Sequence, residues 1–316
     1  MIKTNNLAAL ILVLIFSISC NENINKLETI PSKKHLRFLI CSDLSNRLTK
    51  YPKTLEDSTL IAHFLEFYYP NIYKSANRDN GQKDKIEVLF LNGMDVKNYK
   101  VDTEKLNLDL SKFNNMQRIK YLTNNIKGFK EDKKAFKGEI KKLYDSASMN
   151  IKGADIYSLL KSKIRGITND ENKYRNILLL FTDGYIEYGS NQKNGKKTYF
   201  LNRKVISDFR KAFKKSKTNS LKNFFDENEY GIVPVNNPNL KNLEIIALEF
   251  YDRSLTKTGN PTVRPTDQEI IELFWEDWMK KSKVKRFMHY NYFSSKKKFE
   301  SSIMDFIENE SKYIMN

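Results

Sequence analysis

The chain has 316 residues, 40% of them apolar and 29% charged, with only seven prolines. That balance supplies a sizeable core and excludes an extended disordered chain. Net charge is +17, yet only 11 of the 55 basic residues are Arg. Lysine is a solvated point charge, so the excess reads as a lysine-rich surface, with no nucleic acid expected as partner.

The first element in chain order lies outside the fold. Lys3 precedes an apolar run from Leu7 to Phe16, and Ser17-Ile18-Ser19-Cys20 follows. Ten apolar residues fall short of the roughly 20 that span a membrane. With small residues behind them they read as a signal peptide over residues 1–19. The cysteine directly behind resembles the lipobox of bacterial lipoproteins, in which that residue is lipidated and becomes the mature amino terminus. Ser17 and Ile18 depart from the usual box, which favours leucine and then a small residue at those positions. The resemblance implies a lipid on Cys20 and a membrane-anchored protein of the cell envelope, on the periplasmic or surface side. Cleavage after Ser19 and plain secretion is the alternative. Residues 20–34 lack periodicity and read as a tether. Cys41 is then left alone as a small apolar strand residue, and a Cys20–Cys41 bridge would require an unlipidated Cys20.

From residue 35 to 316 the pattern predicts one α/β domain. Leu36 to Cys41 reads as a buried strand over 35–42, which breaks into Ser42-Asp43-Leu44-Ser45-Asn46-Arg47. Leu60, Ile61, Phe64, Leu65 and Tyr68 recur at helical spacing, predicting a helix over 56–76 capped by Asp57 or Ser58. Ile86 to Leu91 is the next strand. Residues 106–122 read as a loop and helix. Phe136, Ile140, Leu143 and Tyr144 form one face of a second helix, and Gly153-Ala154-Asp155-Ile156 opens a third that ends near Ile164.

Tyr174 to Phe181, followed by Thr182-Asp183-Gly184, predicts a central strand covered on both faces. Two amphipathic segments, Val205 to Phe213 and Leu221 to Phe225, precede a further strand at 243–250. A helix over 267–279 capped by Thr266 or Asp267, an edge strand at 286–290 and a helix at 301–307 complete the chain. Strands alternating with helices predict a doubly wound, mostly parallel sheet with helices on both faces, Rossmann-like in plan. That plan brings Asp43 and Asp183 to one rim, where open α/β sheets place their ligands. Asp43, Ser45 and Asp183 are there oxygen ligands suited to a hard divalent cation, or turn-capping residues.

On these residues the chain resembles the von Willebrand factor type A family. Its members carry an Asp-x-Ser-x-Ser loop after the first strand, a threonine loop before a middle helix and an Asp-Gly after the fourth strand. Together these form a metal-ion-dependent adhesion site. Asp43 and Ser45 match the first motif and Asp183-Gly184 the third. Arg47 stands where the second serine would be, and Ala154 where the threonine would be; the neighbouring Asp155 is the residue that could compensate. The resemblance implies magnesium or another divalent cation on Asp43, Ser45, Asp183 and Asp155, with Arg47 as a modulator or substitute counter-charge. It further implies an envelope protein as partner, for which Tyr185 and Tyr188 are candidate contacts.

The alternative is a metal-dependent phosphoester hydrolase with Asp43 as nucleophile or ligand. Against it, no acid stands two residues after Asp43. The three histidines (His35, His63 and His289) show no zinc spacing, and neither a nucleotide loop nor Gly-x-Ser-x-Gly is present. The residues favour a binding protein over an enzyme.

Overall fold

All eight residues of the strand Tyr174–Phe181 are buried, and this strand sits at the centre of a six-stranded sheet. The structure is a computed structural model that describes residues 34–45, 55–75, 78, 81–91, 99–124, 126–149, 154–164, 166–168, 170, 172–187 and 193–315. The signal peptide, Cys20, Arg47, Gly153 and Tyr188 lie outside the described residues. Lys34–Asn316 forms one compact unit, and no helix among the described residues is long and apolar enough to cross a membrane.

In chain order the strands are β1 (His35–Ser42), β2 (Lys85–Leu89), β3 (Asn107–Asp109), β4 (Tyr174–Phe181), β5 (Lys193–Asn194), β6 (Lys197–Thr198), β7 (Gly231–Ile232), β8 (Leu243–Phe250) and β9 (Arg286–Asn291). The helices are α1 (Asp57–Phe67), α2 (Asn115–Thr123), α3 (Phe129–Met149), α4 (Ile156–Ser158), α5 (Arg203–Ser216), α6 (Leu221–Glu227), α7 (Asp267–Lys281) and α8 (Lys296–Glu308). The main sheet runs β3-β2-β1-β4-β8-β9, parallel throughout except for β3. β5, β6 and β7 make a second, small sheet.

Period-two alternation along the central strands divides the core into two layers. Phe38 and Ile40 of β1 and Ile177, Leu179 and Phe181 of β4 face a layer that includes residues of α1, α3 and α8. Leu39 and Cys41 of β1 and Leu178 and Leu180 of β4 face the opposite layer, which holds residues of α4, α5, α6 and α7. Both faces are therefore covered, as the near-continuous apolar runs of β1, β4 and β8 require.

Most elements lie within a few residues of the sequence-based expectation. The first helix is shorter than expected: α1 ends at Phe67 and a π turn, Tyr68–Ile72, follows. Its N-cap position is Glu56, with no side-chain cap; Asp57 instead lies buried in the first turn, where it accepts from Tyr144 Oη at 3.4 Å. For α7 the cap is Thr266, in a capping box with Glu269. The elements missed were the short ones, β3 and the β5–β7 sheet, whose two or three residues carry no readable period.

Candidate functional site

Walking outward from β3, the strand order reverses direction between β1 and β4, and such a switch point opens a crevice at the carboxyl ends of its two strands. Ser42 is in register with Phe181, and the backbone N–H of Asp43 donates to the Phe181 carbonyl at 2.8 Å. Thr182 N–H in turn donates to Leu248 O of β8 at 2.9 Å. Asp43 and Asp183, 140 positions apart in the chain, thus leave neighbouring strands at one rim. Both are almost fully buried, each 2% exposed.

Each acid first serves its own turn. Asp43 Oδ1 accepts from Ser45 N–H at 3.0 Å, and Oδ2 accepts from the Thr182 hydroxyl at 3.4 Å. Asp183 Oδ1 accepts from Tyr185 N–H at 3.2 Å. The third parallel strand repeats the device: beyond β8, Asp252 Oδ1 accepts from Ser254 N–H at 2.8 Å and from its hydroxyl at 2.5 Å. These are Asx turns, in which a short carboxylate ties the backbone two residues ahead.

Directly after Asp183 the chain turns at Gly184, whose φ of +87° belongs to the left-handed region; a Cβ there would lie 2.8 Å from Ile271 Cγ2. Its carbonyl accepts from Trp275 Nε1 at 2.7 Å, which anchors the turn to α7.

The residue that organises the rim, and that sequence reasoning missed, is Arg253. The β8–β9 register shifts between Leu248 and Phe250, and Glu249 has a φ of +79°. Beyond this irregularity Tyr251 N–H meets the Asp183 carbonyl at 3.2 Å. Arg253 Nη2 then donates to Asp183 Oδ2 at 2.7 Å, while Nη1 pairs with Glu187. Its guanidinium lies 3.8 Å from the centre of the Tyr185 ring. Burial works against the charged guanidinium, but Asp183 and Glu187 outweigh it and raise the Arg253 pKa above the ordinary arginine value. The available signal was Asp252-Arg253-Ser254, a second Asp-x-Ser directly behind an apolar strand.

Tyr185, expected as a surface contact, is 2% exposed. It is held beneath Arg253, and its hydroxyl donates to Asp267 Oδ2 at 2.5 Å. Burial and the Asp267 charge raise its pKa, so the phenol stays protonated. Asp267 is also paired with Arg210, which donates to Pro265 O at 2.6 Å. Asp155 is spent locally as well. It caps α4, accepting from Ser158 N–H at 2.9 Å and from the Ser158 hydroxyl at 2.6 Å. Cys41 is a buried strand residue whose thiol pKa is pushed up to about 12, first by burial. Lys163 partly opposes that rise and Asp43 adds to it.

The carboxylates expected as ligands are each engaged by groups of the protein itself. Among the described residues no group of three or more His, Cys, Asp or Glu side chains is arranged to hold a metal. Every carboxylate oxygen of Asp43, Asp155 and Asp183 already accepts a hydrogen bond, and one of them carries a guanidinium. The histidines are engaged elsewhere: His35 with Gln82, His63 with Glu300, and His289 beside Glu272 and Glu276.

No protein-family model matches the chain, and no curated protein matches it. Among solved structures, the chain is similar to proximal thread matrix protein 1 from the mussel byssus, at 11% identity and a TM-score of 0.35. That match covers 88% of this chain and 49% of the other. The chain is also similar to the pilus adhesin SpaC from Lactobacillus rhamnosus GG, at 11% identity and a TM-score of 0.37, over 90% of this chain and 30% of that one. The chain thus spans half or less of the length of either protein.

Proposed function

We propose that this is an envelope lipoprotein, anchored through lipidated Cys20, whose von Willebrand factor type A-like domain binds a partner protein at the carboxyl rim of its sheet. The observation that carries the reading is the arrival of Asp43 and Asp183 at adjacent strand ends on either side of the switch point. Of the two forms the resemblance allowed, metal-bound or degenerate, the degenerate one suits a rim whose buried acid is neutralised by Arg253. Partner contact falls to the outer edge of that network, Ser45 and the exposed Glu187, because Tyr185 is sealed beneath it. Hydrolysis has less support, since the histidines contact Gln82, Glu300, Glu272 and Glu276 and not the rim acids Asp43 and Asp183.

The test is site-specific photo-crosslinking in the envelope of the producing cell. A cross-linker at position 45 or 187 should capture one and the same protein, and Asp43→Ala should abolish that capture. A cross-linker at Lys241, exposed at the opposite end of the sheet, should capture nothing in common with them. Equal capture from 241, or capture indifferent to Asp43→Ala, would refute the rim as the binding surface. Metabolic palmitate labelling that disappears in Cys20→Ala tests the anchor separately.

A further inference from the structure

We propose that the guanidinium of Arg253 is the resident cation at Asp183 on this rim, so that the site works without metal. A buried carboxylate requires a counter-charge or must take up a proton. At Asp183, with a side chain only 3% exposed, that counter-charge is Arg253, itself 5% exposed. The planar fork of arginine can serve two acids at once. Here one arm takes Asp183 and the other takes Glu187, while the ring of Tyr185 supports the flat face. The 183–187 turn is thereby clamped to the segment that follows β8.

Magnesium takes its oxygen ligands at about 2.0–2.1 Å. A guanidinium nitrogen already lies 2.7 Å from Asp183 Oδ2, and its charge repels a second cation on the same carboxylate. The consequences differ from those of an ion site. A bound ion comes and goes with its free concentration, whereas an arginine stays charged at any physiological pH. The rim charge is therefore fixed at synthesis, and binding to it should be indifferent to chelators. The inference builds on the rim reading, but its test uses the protein alone, so either can fail while the other stands.

The experiment is calorimetric titration of the purified domain with manganese, paired with thermal unfolding in chelator and in millimolar magnesium. The wild type should give no saturable heat at millimolar ion and the same Tm in both buffers. Arg253→Ala should lower the Tm in chelator by about 5–10 °C, because it strands a buried carboxylate. It should also gain saturable manganese binding, lost again when Asp183→Asn is added. Arg253→Lys, which keeps the charge, should stay blind to manganese. Saturable binding by the wild type that Asp183→Asn removes would overturn the proposal, as would a folded Arg253→Ala that remains blind to manganese. If Arg253→Ala does not fold, the wild-type and Arg253→Lys titrations decide.

Discussion

The two ends of the sheet each bury an ionic network, and the networks have opposite characters. At the amino ends of β4, β8 and β9, Glu244 is gripped by Arg175 through two parallel bonds of 3.0 Å and by Arg286 at 2.6 Å, with Lys285 at 3.1 Å. The spare N–H groups of the arginines close on backbone carbonyls at the end of α8 and just beyond it: Phe306, Ile307, Asn309 and Lys312. Cations at a helix carboxyl terminus satisfy its free carbonyls and its dipole. That end is a closed staple holding α8 to the sheet.

At the carboxyl rim the carboxylates Asp43, Asp183 and Asp252 sit in turns, Asp267 opens α7, and Glu187, with 37% of its side chain exposed, carries the network out to solvent. The same residue types serve architecture where helix carbonyls are the acceptors. At the carboxyl rim the acceptors are acidic turns instead, and the network stays open to solvent at Glu187.

The sharpest way to break the comparison is to strand the staple. Glu244→Ala leaves Arg175 and Arg286 buried without their carboxylate and should cost about 3–5 kcal/mol in denaturant unfolding. Replacing Arg175, Glu244 and Arg286 together by apolar residues of similar volume should restore most of that loss. At the rim, Asp183→Asn removes a charge-assisted bond and should cost about 1.5–3 kcal/mol by the same measurement.

Gly184→Ala tests the turn that follows Asp183. Both its φ and the 2.8 Å approach to Ile271 oppose a side chain, so a loss of about 1–3 kcal/mol is expected. Acid titration follows from Glu244. Burial tends to raise its pKa, but Arg175, Lys285 and Arg286 prevail and hold it below the ordinary glutamate value of 4.5. The folded state then binds fewer protons than the unfolded one, so this stabilisation is present above that value and is lost as pH falls through the depressed pKa. The slope of unfolding free energy against pH below about 4.5 should be shallower in Glu244→Gln. The smallest expected effect is Ser45→Ala, within about 0.5 kcal/mol of wild type in stability; its weight should fall on partner capture instead.

Much of this layout is legible in the residues themselves. The continuous apolar runs of β1, β4 and β8 and the helix cap at Thr266 are local features, and local chemistry reads locally. Asp43 and Asp183 could be singled out because each ends an apolar run directly. The β5–β7 strands were not legible, because two residues leave no period to detect. Arg175, Glu244 and Arg286 are visible as charges inside apolar strands, but their partners lie 42 or 69 positions away.

The amino-acid sequence by itself determined the α/β alternation, the positions of the main strands along the chain and the two acids that would share a rim, since apolar runs and strand-end polarity are properties of short stretches. Only the tertiary structure decided what answers those acids. Arg253 reaches Asp183 through a register shift in β8 and a turn across 70 residues, and Asp155 and Tyr185 are drawn off to partners of their own. Counter-charge is a matter of which groups the fold brings within hydrogen-bond reach, and that distance is set by packing rather than by spacing along the chain.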